Sequence, residues 1–232
     1  MPRVLYGAPM SALSRRQALA GLGSVSLGAL IAACDEGGDS KTAASDGERA
    51  SGFDDAAHCT QTAELTEGPF YFEVDKVRSD IREDREGVPL HLGIRVRDAP
   101  KCKPIQDAVV DVWHCDAEGS YSERGETYLR GLQITDRDGV VEFTTIYPGW
   151  YPGRTVHIHA KVHLDKQTVL TTQLYFDDEV SARVFLEKPY PGKSNRDGFN
   201  TTDGLYRKDL ELTLSPKGDD YRGLITLDVA RA

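Results

Sequence analysis

Two histidines separated by one residue, His157 and His159, stand in a segment whose intervening positions are apolar. Side chains of a β-strand alternate between its two faces, so both imidazoles share one face and the apolar residues share the other. Cα atoms two residues apart on a strand lie about 7 Å apart, a spacing at which both rings can reach one metal ion. Two solvated histidines on an amphipathic strand are the simpler interpretation of this pattern alone. His163 falls on the same face but further away, and we interpret it as non-ligating.

Two tyrosines upstream can supply oxygen donors. Tyr151 belongs to a Pro- and Gly-rich turn six residues before His157, and Tyr128 lies in an irregular polar stretch, residues 123–131. Each tyrosine alone is more simply explained as a turn or loop residue. Two phenolates with two neutral imidazoles carry a charge of −2, which suits a hard trivalent cation and differs from the all-oxygen sites of calcium. Together with His157 and His159 they predict an iron(III) site.

The elements that position these residues are predicted to be strands. Apolar and polar residues alternate along much of the chain, and Asp138-Gly139 between two such runs is typical of a hairpin. Residues 181–205 contain two prolines and three glycines and predict a long loop, with one helical turn near 181–185. We expect strands over residues 90–97, 108–115, 134–146 (two short strands), 155–164, 169–176 and 223–229. The predicted fold is all-β: a β-sandwich with long loops and the iron site at one end.

Composition limits the partners of the protein. Its 232 residues, 39% of them hydrophobic, suit one domain with a core. The formal net charge of −9 argues against nucleic acids and anionic membranes, which bind clustered Lys and Arg. No apolar run reaches the roughly 20 residues that a membrane-spanning helix needs.

The N-terminus is predicted to be an export signal rather than part of the fold. Arg15 and Arg16 precede a weakly apolar run, residues 18–33, which resembles a twin-arginine signal, and the run ends at Cys34 as in a lipoprotein cleavage box. An ordinary cleaved signal, in which Cys34 is incidental, is the alternative. We therefore expect an export signal at residues 1–34, a flexible acidic linker at 35–57 and a catalytic domain at 58–232. The mature protein would be periplasmic, extracellular or lipid-anchored at the cell surface.

Three cysteines follow the signal: Cys59, Cys102 and Cys115. Export permits a disulfide, and three cysteines allow three single pairings. A strand over residues 108–115 would hold Cys102 and Cys115 beyond disulfide reach. We favour Cys59–Cys115 and leave the other pairings open. The absence of a CxxC pair argues against a thiolate zinc site.

An ordered series of short segments resembles one known family, the intradiol ring-cleavage dioxygenases, which include the catechol and protocatechuate enzymes. The resemblance covers about residues 60–229. The matching segments are TEGPFY (66–71), DVWH (111–114), DAEGSYS (116–122), YLRG (128–131), PGWY (148–151), RTVHIH (154–159) and QLYF (173–176). Each segment is a weak signal, but their order is specific.

The resemblance implies roles for named residues. The iron(III) ligands would be Tyr128, Tyr151, His157 and His159. Tyr128 would be the axial ligand that leaves the metal when a catecholate binds. Arg154 would stabilise negative charge that develops on the substrate, and Gln173 would belong to the pocket, although a salt bridge and an outward strand residue are the respective alternatives. Further residues expected to line the pocket, where core packing is an equal explanation, are Pro69, Tyr71 and Trp150.

The chain departs from the family pattern at two places. Thr155 replaces the proline that usually follows the arginine, which should leave Arg154 less rigidly placed. Nothing before Cys59 resembles the N-terminal helical dimerisation segment of the catechol enzymes, so the chain resembles a short, exported branch and its oligomeric state is open. Trp113 and His114 we interpret as structural.

The expected activity is an oxidoreductase reaction that inserts both atoms of O2 into a catechol-type ring and yields a muconate-type dicarboxylate. The partners would be a small catechol and O2, with a possible membrane tether through Cys34. Two other functions are compatible with the sequence: an exported β-sandwich that binds catechols or iron without turnover, and a structural cell-surface module. No residue in the sequence selects among catechols.

Overall fold

The computed structural model of the chain describes residues 51–53, 59–190, 192 and 195–230. The segment interpreted as an export signal, including Cys34, and most of the expected linker lie outside these residues. Within the described ranges, no helix is long and apolar enough to cross a bilayer.

The regular elements of the described residues are mostly strands, as expected for the predicted all-β class. The strands are β1 Pro89–Asp98, β2 Lys103–Pro104, β3 Val109–Trp113, β4 Arg130–Ile134, β5 Val140–Ile146, β6 His157–Leu164, β7 Gln167–Tyr175, β8 Thr213–Lys217 and β9 Asp220–Val229. One α-helix, α1 (Asp178–Val184), follows β7, and a 3-10 turn (Lys208–Leu210) precedes β8.

The strands form two sheets. In the five-stranded sheet, β1 pairs in parallel with β9 and antiparallel with β5 and β2, and β8 lies outside β9. The four-stranded sheet has the order β4-β3-β6-β7 and is antiparallel throughout. The two sheets pack face to face, which confirms the predicted β-sandwich.

Strand alternation creates the core between the sheets. In β6, Ile158, Ala160 and Val162 are fully buried and face Leu92 and Ile94 of β1 across one hydrophobic cluster. Burying a Val, Leu or Ile side chain contributes about 1.5–3 kcal/mol. Because this face of β6 is committed to the core, the residues between these positions must lie on the opposite face.

The turn predicted as a hairpin has a different role. The carboxylate of Asp136 accepts hydrogen bonds from the backbone N–H groups of Asp138 and Val140 (both 2.9 Å), so the tight turn itself forms as expected. However, β4 before it pairs with β3 and β5 after it pairs with β1. The turn thus connects the two sheets, and local patterning could not distinguish a sheet-to-sheet connection from a hairpin.

The packed part of the chain includes a residue of the expected linker. Phe53 is 7% exposed and packs with Val140 and Leu224 on the outer face of the five-stranded sheet. Gly93 makes room for it, since a Cβ there would lie 3.2 Å from the Phe53 ring. Phe53, which lies in the segment expected to be a linker, therefore packs on the folded part of the chain.

The disulfide joins Cys59 to Cys102, with a Cα–Cα distance of 5.4 Å, and Cys115 is a buried cysteine outside this disulfide. The favoured Cys59–Cys115 pairing was wrong. Cys102 lies in the turn after β1 with φ of 52°, whereas Cys115 faces an aromatic cluster with Trp113 and Tyr121. Cys102 and Cys115 do not bond to each other, as the strand between them predicts, but nothing in the sequence located Cys59 beside that turn.

Helix α1 begins three residues before the predicted helical turn. Its N-cap is Asp177, whose carboxylate accepts hydrogen bonds from the N–H groups of Glu179 and Val180. This cap satisfies backbone donors that have no partner within the helix. The described residues 195–207 precede the 3-10 turn and contact the segment before β6, where Asp203 accepts from Arg154 and Thr155.

Candidate functional site

One row of side chains crosses the outer face of the four-stranded sheet. Trp113 of β3 pairs in register with Arg130 of β4 and with His159 of β6, and His159 pairs with Gln173 of β7. Directly paired residues project from the same face of an antiparallel sheet. His157 lies two positions along β6 on the same face, so this face carries both predicted histidines.

Both histidines are buried under the loops that cover this face, at 3% exposure for His157 and 1% for His159. The Nδ1 atom of His157 lies 2.7 Å from the carbonyl oxygen of Thr155. A carbonyl only accepts hydrogen bonds, so Nδ1 carries the proton and Nε2 presents a lone pair. The ring of His159 stacks on the indole of Trp113 at 4.8 Å between centroids and 6° between planes, which fixes its orientation.

Two tyrosine hydroxyl groups meet the Nε2 atoms. Oη of Tyr151 lies 3.1 Å from Nε2 of His157. Oη of Tyr121 lies 3.1 Å from Nε2 of His159 and 3.4 Å from Nε2 of His157. Four donor atoms thus converge, and we call Tyr121, Tyr151, His157 and His159 the Tyr/His cluster.

The structure does not bring Tyr128 to this cluster. Its ring lies under the guanidinium of Arg85, 4.4 Å from the ring centroid, and Asp116 and Glu126 are among the charged groups that act on it. The structure therefore places Tyr121, and not Tyr128, beside the two histidines. The two tyrosines are seven residues apart, and both lie in irregular chain, where sequence patterning predicts no direction for a side chain.

The electrostatics of the cluster follow from its burial. Burial, assisted by the nearby charge of Arg154, lowers the pKa of His157 to about 4. Burial also holds the pKa of His159 well below its usual value and raises those of Tyr121 and Tyr151. Without a cation the four groups are therefore neutral at pH 7. A bound cation reverses this balance for the phenols, because it stabilises their ionised form.

The donor set fits a hard metal ion. Ligands at about 2.0–2.2 Å from one ion and roughly perpendicular to each other are separated by about 3 Å. The three tyrosine–histidine distances in the cluster, 3.1, 3.1 and 3.4 Å, are close to this value. Within the described ranges, no group of three or more His, Cys, Asp or Glu residues could hold a metal. A metal at this face would therefore need the two tyrosines.

Arg154 and Gln173 lie next to the cluster. Nη2 of Arg154 donates to Oε1 of Gln173, and Nε2 of Gln173 donates to the backbone oxygen of Thr66 at 2.9 Å. Nε of Arg154 donates to Asp203 at 2.8 Å. Gln173 is fully buried, so the alternative of an outward, solvated strand residue does not hold for it. Arg154 does form a salt bridge, but a partly buried one beside the cluster rather than on the surface.

The segment with the TEGPFY motif covers the cluster from one side. Gly68 has φ of 70°, and a Cβ there would lie 3.4 Å from Cε1 of His159, so the backbone approaches the ring closely. The ring of Phe70 stacks on Tyr121 at 4.4 Å and 10°. Tyr71 packs against Trp113 and donates to Asp111 at 3.3 Å.

A cleft of about 570 Å³ opens beside the cluster. Its walls include Pro69, Phe70, Tyr71, Phe72, Tyr121 and Tyr151. Two of the three residues expected at the pocket wall, Pro69 and Tyr71, line it. The third, Trp150, packs against the main core instead. His114 is structural as expected: it is buried and bonded to Thr145 and to the carbonyl of Cys115.

Sequence reasoning missed Tyr121, Phe70 and Asp203. A signal for Tyr121 was present, because it stands in the GSYS segment that follows β3 and was part of the resemblance. Phe70 lies in the TEGPFY motif, but nothing in the sequence indicated that its ring would stack on Tyr121. No signal existed for Asp203, which approaches Arg154 from 49 residues away in the chain.

Comparison with known proteins shows that the chain is similar to dioxygenases. The sequence profile of a family described as Dioxygenase matches residues 66–185. Catechol 1,2-dioxygenase 1 of Acinetobacter lwoffii is 29% identical over 191 residues, 66% of this chain and 61% of that protein. Chlorocatechol 1,2-dioxygenase of Rhodococcus opacus is 29% identical over 148 residues, 51% of this chain and 57% of that protein. The chain thus spans less than two thirds of the length of these relatives.

Solved structures match more completely. An intradiol ring-cleavage dioxygenase from Tetranychus urticae aligns with a TM-score of 0.69 and 33% identity over 74% of this chain and 95% of that one. The dioxygenase domain of a dioxygenase carbohydrate-binding protein fusion from Streptomyces sp. SirexAA-E aligns with a TM-score of 0.61 and 32% identity, covering 75% of this chain and 100% of that one. The profile match, the shared fold and the Tyr/His cluster agree: the chain belongs to the intradiol ring-cleavage dioxygenase family.

Proposed function

We propose that the protein is a non-haem iron(III) dioxygenase that cleaves a catechol ring between its two hydroxyl-bearing carbons. The observation that carries the proposal is the convergence of two tyrosine oxygens and two histidine nitrogens at the Tyr/His cluster. The names of the relatives, catechol and chlorocatechol 1,2-dioxygenases, support a catechol-type substrate.

The chemistry of the donors supports iron(III). Two phenolates and two neutral imidazoles bring a charge of −2, and hard anionic oxygen favours a hard trivalent cation over copper(I). Tyr121, Tyr151, His157 and His159 would hold the ion, with Tyr121 in the place expected for Tyr128. When bound, the iron would supply Lewis-acid activation of the catecholate. Burial keeps both imidazoles neutral. The bond from Nδ1 of His157 to Thr155 leaves the Nε2 lone pair of that ring available without loss of a proton.

The surrounding residues of this chain would orient the substrate and balance its charge. Arg154 presents a guanidinium beside the cluster, where it would stabilise negative charge on the reacting ring. Gln173 holds one arm of that guanidinium. The aromatic walls of the cleft, Phe70 and Tyr71 among them, offer ring faces to a flat substrate. The loops that bury the histidines exclude bulk water from the ligand side.

The overall reaction is balanced without an external reductant. One carbon–carbon bond of the ring breaks, both atoms of one O2 are incorporated, and the product is a muconate-type dicarboxylic acid. The product mass therefore equals that of the catechol plus one O2. Incubation in labelled O2 should place both labelled atoms in a single product molecule.

The decisive experiment combines colour with turnover. Protein supplied with iron should be red-brown from tyrosinate-to-iron charge transfer, and an oxygen electrode should record O2 uptake with members of a catechol panel. A colourless, iron-free protein after iron supplementation would contradict the proposal. A spectral shift on catechol addition with no O2 uptake would instead favour binding without turnover.

We also propose that the protein is exported. The support is the signal-like sequence before Cys34 and a disulfide between Cys59 and Cys102, a bond that persists in oxidising compartments. Lipidation of Cys34 would add a membrane tether. Fractionation of cells that express the full chain tests both ideas, because substitution of Cys34 by Ser should release a lipid-anchored protein into the soluble exported fraction.

A further inference from the structure

The loop after α1 closes around the segment that carries Arg154. We call residues 195–207 the clamp loop. Within it, Asp197 accepts a hydrogen bond from the N–H of Gly153 at 3.1 Å. Gly198 lies directly against the backbone of Arg154, where a Cβ would overlap the carbonyl group. The clamp loop and the segment before β6 are therefore fitted to each other at backbone level.

Asp203 of the clamp loop forms the central contact. Its Oδ2 accepts from Nε of Arg154 at 2.8 Å and from the N–H of Thr155 at 3.0 Å, and its Oδ1 accepts from the N–H of Leu205 at 2.9 Å. The side chain is 2% exposed. Burial alone would raise the pKa of this carboxyl, but the three hydrogen bonds and the charge of Arg154 outweigh it and lower the pKa. The carboxylate is thus ionised and buried, and both of its oxygens accept hydrogen bonds.

Thr155 supplies contacts that the proline of the family pattern cannot make. A proline has no N–H, so the bond from the backbone of Thr155 to Asp203 would be absent. The hydroxyl of Thr155 also donates to Oδ1 of Asn200 at 2.6 Å. The loss of rigidity expected from replacing proline is offset here by two hydrogen bonds to the clamp loop.

The contacts of Arg154 determine where its guanidinium points. Nε is bound to Asp203 and Nη2 to Gln173, and these partners approach from different elements of the fold. A planar guanidinium held at two of its nitrogens has one orientation, whereas an arginine with a single contact can rotate about its long side chain.

We propose that Asp203 is a positioning residue of the active site, which holds Arg154 in its working orientation through the clamp loop and uses Thr155 in place of the family's proline. The expected effect on kcat rests on the proposed dioxygenase function. The expected effect on the orientation of Arg154 does not, because that orientation can be measured in the metal-free protein. Asp203 itself touches neither the Tyr/His cluster nor the cleft wall in the contacts described.

The first test reads the orientation of Arg154 without turnover. In metal-free protein, the Nε–Hε group of Arg154 should give a slowly exchanging NMR resonance because it is bonded to a buried carboxylate. Asp203→Ala should abolish that protection, and Asp203→Asn, which keeps the shape and one acceptor oxygen, should weaken it. Asp209→Ala is the matched control, since Asp209 is exposed and forms its ion pair with Arg207 rather than with Arg154. An unchanged Arg154 resonance in Asp203→Ala would overturn the proposal.

The second test is a double-mutant cycle on turnover, with rates expressed per bound iron. Asp203→Ala should lower kcat about 10- to 100-fold, as for other residues that orient an active-site group, with little change in KM. In an Arg154→Ala background the same substitution should have almost no further effect. Full, additive losses in both backgrounds would refute action through Arg154. If the wild-type protein consumes no O2 with any catechol, the proposed function is wrong. The NMR test still shows in that case whether Asp203 orients Arg154.

Discussion

The structure places Tyr121 beside the two histidines, whereas the sequence predicted Tyr128. Removing the hydroxyl group of each tyrosine in turn tests which of them is the metal ligand. Tyr121→Phe deletes an oxygen that lies 3.1 Å from Nε2 of His159 and 3.4 Å from Nε2 of His157. Tyr128→Phe deletes an oxygen outside the cluster and keeps the ring that lies under Arg85. The two variants are otherwise matched, because each loses a single atom from a tyrosine that is 8% exposed.

The magnitudes differ for the two positions. In the metal-free protein, Tyr121→Phe leaves the buried Nε2 of His159 without its partner, which costs about 1–3 kcal/mol. With iron, it removes a direct ligand, so the loss of affinity should exceed the 10- to 100-fold typical of residues that only orient a ligand. Tyr128→Phe should lower the free energy of unfolding by less than Tyr121→Phe does and leave iron affinity unchanged, because its hydroxyl lies outside the cluster.

The assay measures iron content, the visible charge-transfer absorption and the unfolding midpoint of both variants beside the wild type. We expect Tyr121→Phe to lose most of its iron or to show a shifted band, and Tyr128→Phe to resemble the wild type. The opposite result, bleaching in Tyr128→Phe with an unchanged Tyr121→Phe, would refute the assignment of ligands from the structure.

Three further predictions concern stability and the clamp loop. Burial raises the pKa of Asp111 to about 7 from 3.8, so the folded state keeps a proton that the unfolded state has lost between these values. Stability should fall by up to about 4 kcal/mol as pH rises through that window, and Asp111→Asn should remove this slope and exceed the wild type at pH 8 in urea titrations. Cys59→Ser opens a disulfide with a sequence separation of 43 and should cost about 4 kcal/mol, whereas Cys115→Ala should leave the effect of reductant on Tm unchanged. Gly198→Ala should lower both Tm and kcat, because its Cβ would displace the backbone of Arg154; wild-type kcat in that variant would contradict the close fit.

Local periodicity was sufficient for part of the site. A strand with a period of two residues commits Ile158 and Ala160 to the core, and this alone places His157 and His159 together on the other face. The sandwich class followed from the same alternation repeated along the chain. Tyr151 could be predicted as a site residue because its turn leads directly into β6.

Contacts between distant segments were beyond local patterning. The Asp138-Gly139 turn has the same chemistry whether it joins two strands of one sheet or two sheets. The partner of Cys59 depends on where the chain enters the sandwich relative to the turn after β1. Asp203 reaches Arg154 only because the chain after α1 returns across the end of β6.

Tyr121 and Tyr128 show most clearly which features the sequence determined and which depend on the tertiary structure. The sequence by itself determined the face that carries the histidines, the all-β class and the hard character of the donors, because these depend on residue type and on a period of two along one strand. Only the tertiary structure decided that Tyr121 rather than Tyr128 meets the histidines, since both lie in irregular chain where backbone direction is set by contacts with other segments. The same holds for the orientation of Arg154, which depends on a carboxylate brought to it by folding.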